Sequence, residues 1–315
     1  MIELRRVEHP GPALTPRILS EAAPHGSDFY ISLPAGEDLF DGLAHALAAH
    51  GVMTAGVRLV AAQCDAFSYV TGVEDPTGYR VATFSETKTP PCPVNVISGH
   101  VIVGRDEDGS PKTHCHAIFK DAAGNIYAGH LLPGTCTLGP EGARAWISAS
   151  GAAGHKVRFD EETNFPIFHP AKLSQTEDLS DMTSAAQIEH GHFGRIVTAR
   201  VRPNEDLVGS IEELCAREGI THAEVRGCVG SLMDANLSVG RGDQIKAEHV
   251  KGPGLEITIS NGVVRPDESG HPRASLRGLV ANGAGQAFAG EFTPGQNLVF
   301  VTLEVVLQEW VPDAS

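Results

Sequence analysis

The feature that most constrains this chain is that it repeats itself. Set without a gap, residues 37–72 align with 205–240 at a constant offset of 168. Glu37-Asp38-Leu39 falls on Glu205-Asp206-Leu207, Gly51 on Gly219, Ala55 on Ala223, Val57-Arg58 on Val225-Arg226 and Gly72 on Gly240. A second block, 109–134, falls on 270–295 at an offset of 161. It matches Pro111 with Pro272, Gly124 with Gly285, Ala128-Gly129 with Ala289-Gly290 and Pro133-Gly134 with Pro294-Gly295. Two ungapped blocks in the same order mean two copies of one structural unit, so the fold must be one that each copy can build. The fall in offset gives the first copy a net seven extra residues between the blocks.

Each copy reads as an amphipathic helix followed by strands. The acids Glu37, Asp38, Glu205 and Asp206 suit the positive end of a helix dipole. Leu39, Leu43 and Leu47, like Leu207, Ile211 and Cys215, recur every four residues and form a core-facing stripe. Gly51 and Gly219 stand where a helix ends on a left-handed residue. Strand-like runs follow at Ala55–Ala62 and Ala223–Val229, then at Val94–Val103 and Leu255–Val264. The expected class is α/β in the α+β sense: two modules, each a twisted, mainly antiparallel sheet packed with one amphipathic helix. The length of 315 residues suits two such domains. A polar connector at 168–189 places the boundary near 185, giving modules at 1–185 and 186–315. The first is longer at its end, where Trp146, His155, Phe159, Phe165 and Phe168 carry enough apolar mass to pack as an extension.

Composition narrows the function. No apolar run approaches the roughly 18 residues that cross a bilayer, and residues 1–16 lack a secretory apolar stretch, so a cytoplasmic protein is expected. The six cysteines form no CxxC pair and read as reduced, buried thiols. The net charge of −15 works against a polyanion such as DNA, whose sequence-independent binding rests on Lys and Arg neutralising phosphates.

The chemistry-bearing stretch is Thr113-His114-Cys115-His116, then Asp121-Ala122-Ala123-Gly124, then Gly129-His130. On a strand His114 and His116 share one face and Cys115 takes the other. Asp121 and Gly124 fit a type I turn with a left-handed bulge residue, which pairs Asp121 with Asn125 and so sets His116 directly opposite His130. A one-residue slip would send His130 to the wrong face. Three imidazoles on one hairpin face can give three nitrogens to a divalent metal and leave a position open. Zinc is the first expectation, with nickel, iron and copper also compatible. The alternative is a cluster of ordinary histidines on a polar strand face.

The second copy serves as an internal control. It has Ser275, Arg277 and Glu291 at the three aligned positions but keeps the turn Asn282-Gly283-Ala284-Gly285. Arg277 and Glu291 are expected to face each other as a cross-strand pair, and this copy reads as structural. His100, His155 and His169 are further histidines that could join the site. Glu107, Asp108 and Asp121 are the nearby acids that could serve as a base, although loop acids are usually just solvated. No GxSxG, P-loop or GxGxxG motif is present.

Three segments carry a resemblance: Arg202-Pro203-Asn204-Glu205-Asp206-Leu207, Gly227-Cys228-Val229-Gly230-Ser231-Leu232 and Glu256-Ile257-Thr258-Ile259-Ser260-Asn261-Gly262. With His114-x-His116 and Gly129-His130, they resemble the PPC domain over about 30–170 and 190–312. The resemblance implies a compact α/β fold, usually assembled as a trimer, so a homo-oligomer is expected. It also implies a three-histidine zinc site in some prokaryotic members and a family label of DNA-binding protein. This sequence lacks the Arg-Gly-Arg-Pro core of the AT-hook that accompanies the domain in plant DNA-binding members. Two readings therefore stand. One is a metal-binding protein of regulatory or DNA-binding type; the other is a zinc-dependent hydrolase using His114, His116 and His130, with its catalytic base unassigned.

Overall fold

The computed structural model describes residues 4–173 and 191–312; the boundary expected near 185 lies outside the described residues. Two large antiparallel sheets and two α-helices bear out the α+β expectation. The first sheet runs Ser27–Leu33, Thr137–Ala149, Ala55–Ala66, Val94–Arg105, Pro111–Lys120, Ile126–Leu131 and Tyr69–Val70 in spatial order. The second repeats it strand for strand with Gly191–Val201, Val299–Pro312, Ala223–Leu232, Leu255–Pro266, Pro272–Ala281, Ala287–Phe292 and Ala235–Val239. One strand breaks the simple division of the chain: Ile18–Ala23, early in the first copy, pairs with Gly191–Val201 at the edge of the second sheet.

The helices form where the apolar spacing placed them. Helix α1 spans Leu39–Ala49 and buries Leu39, Leu43 and Leu47; helix α2 spans Leu207–Glu218 and buries Leu207, Ile211 and Cys215. A leucine buried to that extent contributes roughly 2–3 kcal/mol. Asp38 and Asp206 cap them, accepting from the amides of Phe40 and Gly209. The Asp206 carboxylate also accepts from Gly295 and Asn297, tying the helix start to the loop before the last strand. Gly51 and Gly219 follow the helices at φ 68° and 67°, in the left-handed region. Each helix covers one face of its sheet, and each sheet has its own core.

The opposite faces of the two sheets meet. Ile102, Val157, Phe168, Ile196, Val229 and Val306 form an apolar seam between the copies. Two glycines allow this approach: a Cβ on Gly227 would lie 3.0 Å from Gly56 Cα, and one on Gly56 would lie 2.8 Å from Val306 Cβ. The first copy's extension forms a hairpin, Ala153–Asp160 with Phe165–Lys172, which places Val157 and Phe168 in that seam. Behind it lies a buried ionic cluster. Asp160 accepts from Arg200 at 2.6 Å and from Arg202 at 2.7 Å, joining the extension to the second sheet.

Candidate metal centre

The hairpin Pro111–Lys120/Ile126–Leu131 has the register its turn implies. Asp121 N–H donates to Asn125 O, Gly124 N–H donates to Asp121 O with Gly124 at φ 90°, and His116 stands opposite His130. Cys115 turns into the first core, leaving His114 and His116 on the face toward the second module. The ring centroids of His114, His116 and His130 lie 4.7, 5.0 and 5.4 Å apart, and one ligating atom of each falls within 4.8 Å of the others. This group could hold a metal ion.

The hydrogen bonds around the rings set their tautomers. His116 Nδ1 lies 3.0 Å from the carbonyl of Ile257, which can only accept, so Nδ1 carries the proton. His114 Nδ1 lies 2.5 Å from the Glu304 carboxylate. In neutral rings both Nε2 atoms then expose lone pairs, and they face each other at 3.1 Å. Two lone pairs at that separation repel unless a shared proton or a metal cation lies between them. His130 adds a buried Nδ1 without a hydrogen-bond partner. Burial, reinforced by the neighbouring imidazoles, pushes His116 well below the usual histidine range; burial followed by the proximity of His114 does the same to His130. Both rings are held in the form that ligates. A carboxylate fixes the far nitrogen of His114 and a carbonyl that of His116, the usual support of histidine metal ligands, and the residues present fit a divalent ion.

Both Glu304 and Ile257 belong to the second copy, as does Glu256. Glu256 is buried, with Oε1 3.9 Å from His116 Nε2 and Oε2 without a partner. Burial pushes its carboxyl up to about 8, against the pull of the His130 and Gly72 amides and of Lys88. The second copy is therefore more than a structural remnant. The sequence reading missed both acids, although each had a signal: a lone carboxylate inside an otherwise apolar strand, in Leu255–Ile259 and in Val299–Leu307.

The triad and Glu256 line a cavity of about 100 Å³ whose other walls include Phe84, Phe165, Phe300 and Val301. A wider recess of about 380 Å³ shares Phe84 and Phe165 with it and carries Arg80 and Lys112 at its rim. The first module grips the second around this space: Ala128 N–H donates to Gly285 O at 3.1 Å and Thr71 Oγ1 to Gly283 O at 2.8 Å.

The other histidines are committed elsewhere. His100 stands opposite His116 in register but is buried, with Nδ1 accepting from the Cys228 amide at 3.1 Å; burial pushes it down to about 3. His155 donates to Ala199 O, and His169 accepts from Arg200. Among the nearby acids, Asp121 ties the turn through Asn125, Asp108 accepts from Ser110 N–H, and Glu107 is exposed. In the second copy the expected pairing is present: Arg277 stands opposite Glu291 with a 3.2 Å ion pair, and Ser275 also donates to Glu291.

Fold and site together define a tandem α+β protein with a histidine cluster held between its two copies. The chain belongs to the family of the Plants and Prokaryotes Conserved (PCC) domain, whose model matches residues 20–140 and 188–311. A stretch of 115 residues is 31% identical to part of the Bifunctional protein GlmU of Synechococcus sp., covering 36% of this chain and 17% of that one. Among solved structures, the chain is similar to a plant- and prokaryote-conserved (PPC) protein of Pyrococcus horikoshii, with 22% identity, TM-score 0.35, and 40% and 85% of the two chains covered. It is also similar to a metal-containing protein of Archaeoglobus fulgidus, with 17% identity, TM-score 0.39, and 48% and 98% covered. A candidate DNA-binding protein of Ralstonia eutropha matches at 18% identity, TM-score 0.36, with 44% and 89% covered. Among the described residues, no helix is long and apolar enough to cross a membrane.

Proposed function

We propose that this PCC-domain protein binds one divalent metal ion through His114, His116 and His130, zinc being the first expectation for three imidazoles. The observation that carries the reading is the pair of Nε2 atoms facing each other at 3.1 Å, with both Nδ1 atoms engaged by acceptors of the second copy. Metal analysis of purified protein tests it: the wild type should carry one equivalent and His116→Ala close to none. A wild type without stoichiometric metal that gains none on adding zinc would refute it.

The surroundings favour a small ligand over DNA. The inner cavity is walled by aromatic and aliphatic side chains and approached by two buried carboxylates, and the chain's net charge is −15. A phosphate backbone needs the opposite. A mobility-shift assay at physiological salt should show no specific submicromolar binding to duplex DNA.

A second reading, a metal-dependent hydrolase, is favoured by one feature, the buried Glu256 carboxyl beside the triad. A bound ion would supply Lewis-acid polarisation of an oxygen. The chain itself supplies the orienting carboxyl, a largely apolar wall and the ring positions. We also infer self-association, as the family resemblance implies a trimer. Tyr30, Val60 and Ile97 are exposed on the first sheet, Val60 and Ile97 on adjacent strands. Light scattering that finds only monomer at micromolar concentration would count against it.

A further inference from the structure

The two copies have diverged in complementary directions. The strand registers equate Glu256 with Asn95, since Glu256 pairs with Ser231 as Asn95 pairs with Gln63. They likewise equate Glu304 with Arg144, since Glu304 pairs with Val229 as Arg144 pairs with Ala61. The first copy thus holds the imidazoles and has no carboxylate at either counterpart position; the second holds both carboxylates and has lost the imidazoles. One complete centre per chain results, and it exists only where the copies meet.

The two acids stand differently toward the triad. Glu304 bonds the back of His114, on the nitrogen away from the other rings. Glu256 stands on the front: Oε1 is 3.9 Å from His116 Nε2, and Oε2 is buried without a partner. Its oxygens do not fall within the tight group formed by the three rings, so it is placed to hold something seated on the triad rather than to complete the triad itself. A buried carboxylate oxygen with no donor costs stability, and a ligand with an N–H or O–H would satisfy it.

We propose that the second copy supplies a divided outer half of the centre: Glu304 positions His114, and Glu256 binds the small ligand that occupies the open side of the three-histidine site. The ligand class follows from the walls. It offers an oxygen to the metal side and an N–H or O–H to Glu256, is uncharged before it binds, and rests its apolar part against Phe84, Phe165 and Phe300. Among the residues lining the inner cavity there is no Lys or Arg to meet an anion, so a free phosphate is disfavoured.

The inference rests on the metal reading above, and the test separates the two. Metal affinity of the full chain is measured by competition with a chromophoric chelator, and ligand binding to the zinc-loaded chain by calorimetry with acetohydroxamate and inorganic phosphate as probes. Glu304→Gln should lose about 10–100-fold in zinc affinity, as supporting partners of metal ligands typically do. Glu256→Gln should keep zinc affinity within about threefold yet bind acetohydroxamate at least about tenfold more weakly, because the amide puts an NH2 group where one carboxyl oxygen meets the ligand's donor. Phosphate should bind at least about tenfold more weakly than acetohydroxamate, and Asn95→Ala should leave every constant unchanged. Melting of the metal-free variants reports their folding, and Glu304→Asp replaces Glu304→Gln if the latter does not fold. If the wild type takes up no zinc, the metal reading fails and this inference with it. If zinc binds but acetohydroxamate binds no differently to Glu256→Gln, or not at all to the wild type, the role of Glu256 is refuted alone. Unchanged zinc affinity in both Glu304 variants refutes that of Glu304.

Discussion

Changing Asp160 to Asn should be among the most damaging single substitutions, because it strands a guanidinium that has no access to water. Arg200 has a side chain 0% exposed, and Asp160, 1% exposed, is its carboxylate partner at 2.6 Å. The same oxygen serves Arg202 at 2.7 Å, while Asp160 Oδ1 accepts from the amide and hydroxyl of Thr163. Removing one member of a buried ion pair costs about 3–5 kcal/mol. Asn keeps the shape and one acceptor oxygen, Arg202 retains Glu162 at 3.3 Å, and Arg200 still feels Glu304. The lower end, about 3 kcal/mol, is therefore expected. Urea unfolding at pH 7, comparing midpoints at unchanged slope, measures it. A loss below about 1 kcal/mol would show that the cluster is solvated and that the argument from burial is wrong. Acid supplies a second arm. Burial pulls the Asp160 carboxyl upward, but hydrogen bonds and charge from Arg200 and Arg202 outweigh it and hold the group well below its usual 3.8. Its folded value lies below its unfolded value, so its contribution is present above pH 3.8 and is lost as pH falls toward the folded value. The gap between wild type and Asp160→Asn should thus narrow on acidification from about pH 5 to about pH 2.

Gly227→Val should cost about 1–3 kcal/mol by overpacking, since a Cβ there would meet Ile102 Cδ1 at 2.9 Å and Gly56 Cα at 3.0 Å; thermal melting would check it, and an unchanged midpoint would mean that the sheets separate freely. Arg277→Ala should cost at most about 1 kcal/mol, because the Arg277–Glu291 pair is 66% and 39% exposed, and chemical denaturation with and without 0.5 M salt would show it. Zinc at about 100 times its dissociation constant should stabilise the wild type by about 2.7 kcal/mol and leave His116→Ala unmoved in a thermal shift assay. Equal shifts would place the metal elsewhere.

What could be read from the chain was what short-range spacing controls. The stripes Leu39-Leu43-Leu47 and Leu207-Ile211-Cys215, the turn at Asp121–Gly124 and the facing of His116 and His130 are all set within a few residues by helix and strand periods and by one bulge. The repeat added a comparison that marked the three histidines as unequal between copies. Spacing within one hairpin carries no information about what packs on its open face. Glu304 reaches His114 across 190 positions of sequence. Nor does strand alternation reveal that His100, opposite His116 in register, is spent on the Cys228 amide. The entry of Ile18–Ala23 into the second sheet is likewise a long-range choice. The histidine triad was local, and so the sequence alone determined it. That Glu304 and Glu256 stand beside the triad depends on two sheets meeting across Gly56 and Gly227, a contact whose partners are set by packing rather than by period, and only the tertiary structure decided it.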